Sequence, residues 1–244
     1  MYELGCTIEA RMNSSRLPGK VMKKVNGKSM LEYMVSRVKK VPNINKIVIA
    51  TSINSEDDAI VQEANNLGVA IYRGSENDVM SRVLCAAEEN KFDEFVALTG
   101  DCPLIDPKII SEVIYEFIHN NFDYISNAIV RSYPDGMDVQ VLNFRSLKLS
   151  SEMTQEQLHR EHVTLHIYKN PDIFRVKNIT ANRELFWPEL GLTLDQIEDF
   201  ELIKNIIENF APRIDFSCLE IIDYLKRNLN LVKINSSVKR KEAQ

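Results

Sequence analysis

The feature that most limits the fold is the way short apolar runs alternate with amphipathic stretches through the first half of the chain. Residues 4–9 read as a strand, and 46–51 as a β-branched one buried on both faces. Residues 69–72 and 94–99 read as two more. Between them, residues 29–39 place Met30, Leu31, Met34, Val35 and Val38 on one helical face. Residues 57–67 form a helix that stops at Gly68, and 77–90 one that Ser75 or Asn77 can cap. Asp106 caps a further helix with Pro107 at its first position. Strand, helix, strand, helix in this order predicts a largely parallel sheet covered by helices on both faces.

The second half is less regular. Residues 124–127 and 137–143 read as strands joined by a polar segment, 155–169 as a polar helix, and 174–179 and 191–194 as short strands. Residues 196–210 read as a helix with Ile197, Phe200, Ile203, Ile206 and Ile207 inward, and about 217–228 as a last one. No linker or internal repeat divides the chain. The reading is one domain, 1–235, with 124–180 an excursion for substrate contacts or dimerisation and 236–244 a charged, disordered tail.

Hydrophobic residues make up 44% of the chain and charged ones 27%, enough for a real core in a soluble protein. The net charge of −5 argues against nucleic acid as a partner. No apolar run approaches the roughly 20 residues a membrane span needs, and no signal peptide is visible. Cys6, Cys85, Cys102 and Cys218 are scattered, as reduced thiols of a cytoplasmic protein would be.

Chemistry concentrates after the first strand. Residues 10–20 carry Arg11, Arg16 and Lys20 among Asn13, Ser14, Ser15 and Gly19. In open α/β sheets ligands bind at the carboxyl ends of strands. Three cations on a loop of small residues, whose N–H groups can face an anion, suit a polyphosphate. Asp101, in Gly100-Asp101-Cys102-Pro103, follows a buried strand at the same sheet edge. Beside a polyphosphate its charge calls for an intervening cation, and Mg²⁺ takes one or two carboxylates with phosphate oxygens and water; otherwise Asp101 is a turn residue. Asp195 precedes the 196–210 helix and is placed to cap it. His159, His162 and His166 share a helical face without a metal-binding motif and read as polar surface. Cys102 reads as a buried thiol.

Residues 10–20 resemble the N-terminal signature of the sugar-acid cytidylyltransferases, most closely their spore-coat polysaccharide (SpsF-type) branch, with the CMP-Kdo synthetases and acylneuraminate cytidylyltransferases as more distant relatives. Gly100-Asp101-Cys102-Pro103 resembles the family's metal motif, and 194–199 its second acidic segment, with Gln196-Ile197 in place of Thr-Pro. Tyr133-Pro134-Asp135-Gly136-Met137-Asp138-Val139 and Arg160-Glu161-His162-Val163-Thr164 resemble two further blocks of that branch. Glu9 stands where the branch usually has Gln.

The resemblance implies a Rossmann-like nucleotidyltransferase (GT-A-like) fold, three layers α/β/α around a mostly parallel mixed sheet. It implies transfer of CMP from CTP to an acidic sugar with release of pyrophosphate, for surface polysaccharide or glycoconjugate synthesis, with Mg²⁺ held by Asp101 and Asp195. Arg11, Arg16 and Lys20 are then the catalytic cations. Ala10, Met12, Asn13, Ser14, Thr51, Arg73 and Ser75 join them and Asp101 around the nucleotide, and Arg131, Tyr133, Asp135, Asp138, Arg160, Glu161 and His162 meet the sugar. The expected assembly is a homodimer. A nucleotidyltransferase with another acceptor and a GT-A glycosyltransferase are the alternative enzymes; the absence of an Asp-x-Asp pair at Asp101 speaks against the latter. A non-catalytic nucleotide-binding protein is the alternative outside catalysis, and the intact cations with Asp101 speak against it.

Overall fold

The computed structural model describes residues 4–240. The strands are β1 (Leu4–Glu9), β2 (Lys24–Val25), β3 (Lys28–Ser29), β4 (Ile44–Ser52), β5 (Ala70–Gly74), β6 (Glu94–Thr99), β7 (Tyr124–Ser126), β8 (Gln140–Asn143) and β9 (Val176–Asn178). The helices are α1 (Met30–Val38), α2 (Asp58–Leu67), α3 (Val79–Glu89), α4 (Pro107–Ile118), α5 (Phe144–Met153), α6 (Gln157–Glu161), α7 (Leu165–Lys169), α8 (Ile197–Phe210), α9 (Cys218–Arg227) and α10 (Leu229–Val232). Seven strands form one sheet in the order β5-β4-β1-β6-β8-β7-β9, while β2 and β3 make a small separate hairpin. Strands β5, β4, β1 and β6 run parallel, β8 pairs antiparallel with β6 and β7, and β9 runs parallel to β7. This is the largely parallel sheet between helical layers that the alternation predicts, mixed as the resemblance implies.

The period-2 rule sorts the buried strands between two cores. Ile47 and Ile49 of β4 and Val96 and Leu98 of β6 face the larger core with α1, α4, α8 and α9. Val48, Ala50, Phe95 and Ala97 face the other, with α3, α5 and α7. On β1, Cys6 and Ile8 point into the larger core. Gly5 on the opposite face leaves room for Phe92, whose ring would lie 2.3 Å from a Cβ there.

One buried cation ties the larger core together. Arg37 is wholly buried and donates Nε to Ile105 O (2.7 Å), Nη1 to Ile214 O (2.5 Å) and Nη2 to Phe216 O (2.7 Å). Its guanidinium lies 4.8 Å from the centre of the Phe216 ring. Burial brings its pKa down to about 10, against the pull of Asp106, so it stays charged at neutral pH. Arg37→Met is expected to cost roughly 3 kcal/mol or more, because two buried carbonyls and a half-buried one lose their donors. The urea midpoint should fall with the slope unchanged.

Four expectations need correction. The 155–169 helix breaks into α6 and α7, because residues 163–167 dip into the core and Thr164 donates to Gln140 Oε1 (2.5 Å) instead of continuing the turn. The 191–194 strand reduces to one bridge between Gly191 and Asp135; Leu194 N turns to Asp101 O (2.8 Å). Residues 137–139 precede β8, held by the Asn127 side chain, which donates to Met137 O and accepts from Val139 N. In the tail, 236–240 pack against the body of the protein, contrary to the disorder expected of 236–244, and 241–244 lie outside the described residues.

Candidate active site

Strands β5, β4, β1 and β6 end at one edge of the sheet, and a cavity of about 770 Å³ opens there. The loop after β1 forms one wall, with its own scaffold. Met12 O accepts from Ser14 N (2.9 Å) and Gly19 N (2.8 Å), and Gly19 takes φ +68°, a turn that favours glycine. Met12 N donates to Asp57 Oδ1 (2.7 Å), while Asp57 Oδ2 accepts from Thr51 Oγ1 and Ser52 N, both at 2.9 Å. Gly100 lets the β6 end approach β1: its N–H donates to Glu9 O at 2.8 Å, and a Cβ would stand 2.8 Å from that oxygen.

Two aspartates and two cations meet inside. Lys20 Nζ lies 2.7 Å from Asp101 Oδ2 and 3.0 Å from Asp195 Oδ1. Arg16 Nη2 lies 2.6 Å from Asp195 Oδ2. Burial works against the Lys20 ammonium, but Asp101 and Asp195 outweigh it and hold its pKa above the ordinary value. Burial likewise works against the Asp101 carboxylate, and Lys20 and Thr99 hold its pKa below the usual range. The Leu194–Asp101 main-chain bond brings the distant segment before α8 to the end of β6. Asp195 does not cap α8. Gln196 does, in a capping box with Asp199, so the Asp195 carboxylate turns to Arg16 and Lys20 instead.

The far wall comes from the 124–180 excursion. Arg131 grips Asp138 with two bonds of 2.9 Å and lies 3.2 Å from Asp135. Burial opposes the guanidinium, but Asp138 and Asp135 keep its pKa above the ordinary value. Tyr124, Gln140 and Thr164 form a hydrogen-bonded cluster in the cavity floor.

Of the residues singled out from sequence, Ala10, Arg11, Ser14, Arg16, Lys20, Asp101, Arg131, Asp135, Asp138, Glu161, His162 and Asp195 line the cavity together. Seven others lie outside its lining. Met12, Asn13 and Thr51 brace the loop after β1, Asn13 by donating to Glu76 Oε1 (3.0 Å). Arg73 is engaged by Ser52 O, Asn54 O and Asp58, and Ser75 Oγ accepts from Asp78 N. Tyr133 is buried in the larger core. Arg160 forks onto Asp78 (2.9 and 2.5 Å) and so ties α6 to the start of α3.

Several participants were not singled out. Arg82 lines the cavity from α3, nearly fully buried, with Nη1 on Ser75 O (2.5 Å) and Nε without a partner among the described residues. Its signal in the sequence is a cation on the apolar stripe of Val79, Val83 and Ala86. Arg240 and the buried Asp199 were also missed. Asp199 carries a similar signal, one turn before Ile203 on a buried stripe.

Glu9 faces the cavity from the end of β1. Burial raises its pKa to about 7, with Arg82 and Arg11 pulling it down and Asp101 and Glu161 pushing it up. The folded state therefore holds this proton more tightly than the unfolded chain does. The group's contribution is most favourable at and below the ordinary carboxylate pKa and is lost as pH rises to about 7. Glu9→Gln is expected to be more stable than the parent at pH 8 and to lose that advantage at pH 4.5, read from urea midpoints at both.

A nucleotidyltransferase-type sheet, with cations on the loop after β1 and an aspartate after β6, defines the class. The cytidylyltransferase family model matches residues 6–228. The spore coat polysaccharide biosynthesis protein SpsF of Bacillus subtilis is 34% identical over 93% of this chain and 96% of its own length. 3-Deoxy-manno-octulosonate cytidylyltransferase 2 of Hydrogenovibrio crunogenus is 24% identical over 82% of each. The solved structure of a cytidylyltransferase from Leptospira borgpetersenii superimposes with a TM-score of 0.91 at 30% identity, over 99% of this chain and 100% of that one. The chain belongs to the cytidylyltransferase family and is a CTP-dependent nucleotidyltransferase.

Proposed function

We propose that the protein transfers CMP from CTP to a hydroxyl of an acidic sugar, releasing pyrophosphate, in the making of a surface polysaccharide or glycoconjugate. The observation that carries this reading is the convergence of Asp101, Asp195, Arg16 and Lys20 in one cavity at the strand ends. The acceptor hydroxyl attacks the α-phosphorus in line, its proton leaves, and the bond to the bridging oxygen of pyrophosphate breaks. Positioning and charge neutralisation do most of the work in such a transfer. Arg11, Arg16 and Lys20 hold the β- and γ-phosphates and stabilise the leaving charge.

Mg²⁺ fits the donor set. The carboxylates of Asp101 and Asp195 both reach a single ammonium, so one cation can be shared between them. Among the described residues no three His, Cys, Asp or Glu side chains cluster as a self-sufficient site, which suits an ion completed by phosphate and water. When bound, it would draw charge from the α-phosphate and lower the pKa of an attacking hydroxyl. For the sugar, Arg131, Asp135, Asp138, Glu161 and His162 offer both charge signs and hydrogen-bonding groups along the far wall.

No helix of the described residues is long and apolar enough to cross a membrane, and the cytoplasm, where CTP is made, suits the substrate. The assembly proposed is a homodimer, with exposed Val130, Leu149, Met153, Leu158 and Ile173 of the excursion as the positions to test.

Nucleotide choice tests the reading. With Mg²⁺ present, CTP is expected to raise the melting temperature more than ATP, GTP or UTP at equal concentration. At a hundredfold excess over Kd the stabilisation is about 2.7 kcal/mol. Equal shifts for all four would contradict the assignment.

A further inference from the structure

The C-terminal segment 236–240 reaches the cavity at Lys239 and Arg240, where it meets both the cation and the acid side. The carbonyl of Lys239 accepts from Arg16 Nη1 at 3.2 Å. The next residue, Arg240, lines the cavity. Its Nη1 donates to Thr193 O at 3.3 Å, its Nη2 lies 2.7 Å from Asp199 Oδ1, and its Nε lies 3.6 Å from Asp135 Oδ2.

This guanidinium has a built receptacle. Asp199 has no exposed surface, and its carboxylate organises the turn into α8. Its Oδ2 accepts the N–H groups of Asp195 (3.0 Å) and Gln196 (2.8 Å), and its Oδ1 accepts Asn235 Nδ2 (2.8 Å) as well as Arg240. Arg240 is the charged partner of that buried carboxylate, and a buried charge left unpaired is costly. Gly191 supplies the space. A Cβ there would stand 1.9 Å from Arg240 Nη2 and 2.6 Å from its Cζ, and Gly191 does not have the positive φ that would demand glycine for its backbone. The room is needed for Arg240.

We propose that Arg240 is a positioning residue of the active site. Through Asp199 it fixes the main chain at Asp195, and through the Lys239 carbonyl its segment orients Arg16. The segment thereby sets the geometry of two groups that meet the phosphates. This rests on the reading given under Proposed function. It adds a residue with no signature in sequence spacing, supplied from beyond the last helix.

The test compares Arg240→Ala, Arg240→Lys, Gly191→Ala and the Arg240→Ala/Gly191→Ala pair. Removing an outer partner of a ligating group typically costs about 10–100-fold in metal affinity or activity. Arg240→Ala should lose that much kcat, with a smaller rise in the KM for CTP at saturating Mg²⁺. Arg240→Lys keeps the charge without the fork and should fall between. Millimolar guanidinium ion should restore part of the turnover of Arg240→Ala and none of that of Asp101→Asn. Gly191→Ala displaces the guanidinium and should reproduce the loss, yet add nothing in the Arg240→Ala background, since both changes remove one interaction. Gly191→Ala also carries the test should Arg240→Ala fail to fold.

A binding readout separates the two proposals. The extra melting shift that Mg²⁺ adds to CTP should shrink in Arg240→Ala, while the shift with CTP alone persists. Parental kcat and parental Mg²⁺ increment in both single variants would overturn the role of Arg240, as would multiplicative losses in the pair. A parent protein that releases no pyrophosphate overturns the proposed reaction instead, and the Mg²⁺ increment then judges Arg240 by itself.

Discussion

Asp101→Asn is expected to abolish turnover and leave the fold standing. The side chain sits at the carboxyl end of β6, in a turn held by the Gly100–Glu9 and Leu194–Asp101 main-chain bonds, and an amide disturbs neither. What changes is charge. Asparagine keeps the volume but offers neither the anion that holds Lys20 at 2.7 Å nor a negatively charged ligand for Mg²⁺. Losing several kcal/mol of transition-state stabilisation corresponds to a fall of roughly 10³-fold in rate or more. The cost in stability should depend on pH. Asp101 is held below its ordinary pKa, so its favourable contribution is present above the unfolded value and fades as pH falls through the folded one. The variant should therefore lie below the parent in stability at pH 7 and approach it at pH 3. Steady-state kinetics and melting curves at both pH values check this; an active Asp101→Asn enzyme would remove the metal role.

Arg16→Lys is the second large effect. Arg16 stands at the mouth of the cavity, its side chain a quarter exposed, with one nitrogen 2.6 Å from Asp195 and another 3.2 Å from Lys239 O. With CTP bound, the same fork suits two oxygens of the departing pyrophosphate, and the attraction grows as charge builds on that group. Lysine keeps the charge and loses the planar pair of donors. A fall of about 10²–10³ in kcat is expected, with a smaller rise in the KM for CTP. Arg16→Ala should be worse. Stability should fall by no more than about 1 kcal/mol, because the pair with Asp195 is partly solvated and Lys20 remains beside Asp195. Parental kcat in Arg16→Lys would end the leaving-group role.

The parts of the molecule that follow local rules were legible beforehand. Period-2 and period-3.6 patterns located β1, β4 and β6 and the helices α1 to α4, because each buries one face or both and so carries the period in its own residues. That Arg16, Lys20 and Asp101 share one cavity was legible because the loops that carry them leave neighbouring parallel strands at the same sheet edge. Where long-range hydrogen bonds override local preference, the sequence was silent. Thr164 breaks a helix to reach Gln140, and Leu194 leaves a strand to reach Asp101. Asp195 looked like a cap, but α8 is capped one residue later at Gln196, and Asp199 reaches back to accept the N–H groups of Asp195 and Gln196. Arg73 has the composition of a ligand-binding cation and spends its donors on Ser52, Asn54 and Asp58. Arg240 has no periodic neighbours at all; only the space beside Gly191 and the buried charge of Asp199 explain its place.

The most direct test of cytidylyl transfer is pyrophosphate release from CTP, with Mg²⁺, across a panel of 3-deoxy-2-keto sugar acids. Products would be followed by phosphorus NMR. The account predicts acceptor-dependent pyrophosphate, one equivalent for each new CMP–sugar phosphodiester, and none from Asp101→Asn. CTP that binds but yields no pyrophosphate with any acceptor, or that yields only orthophosphate, would contradict it.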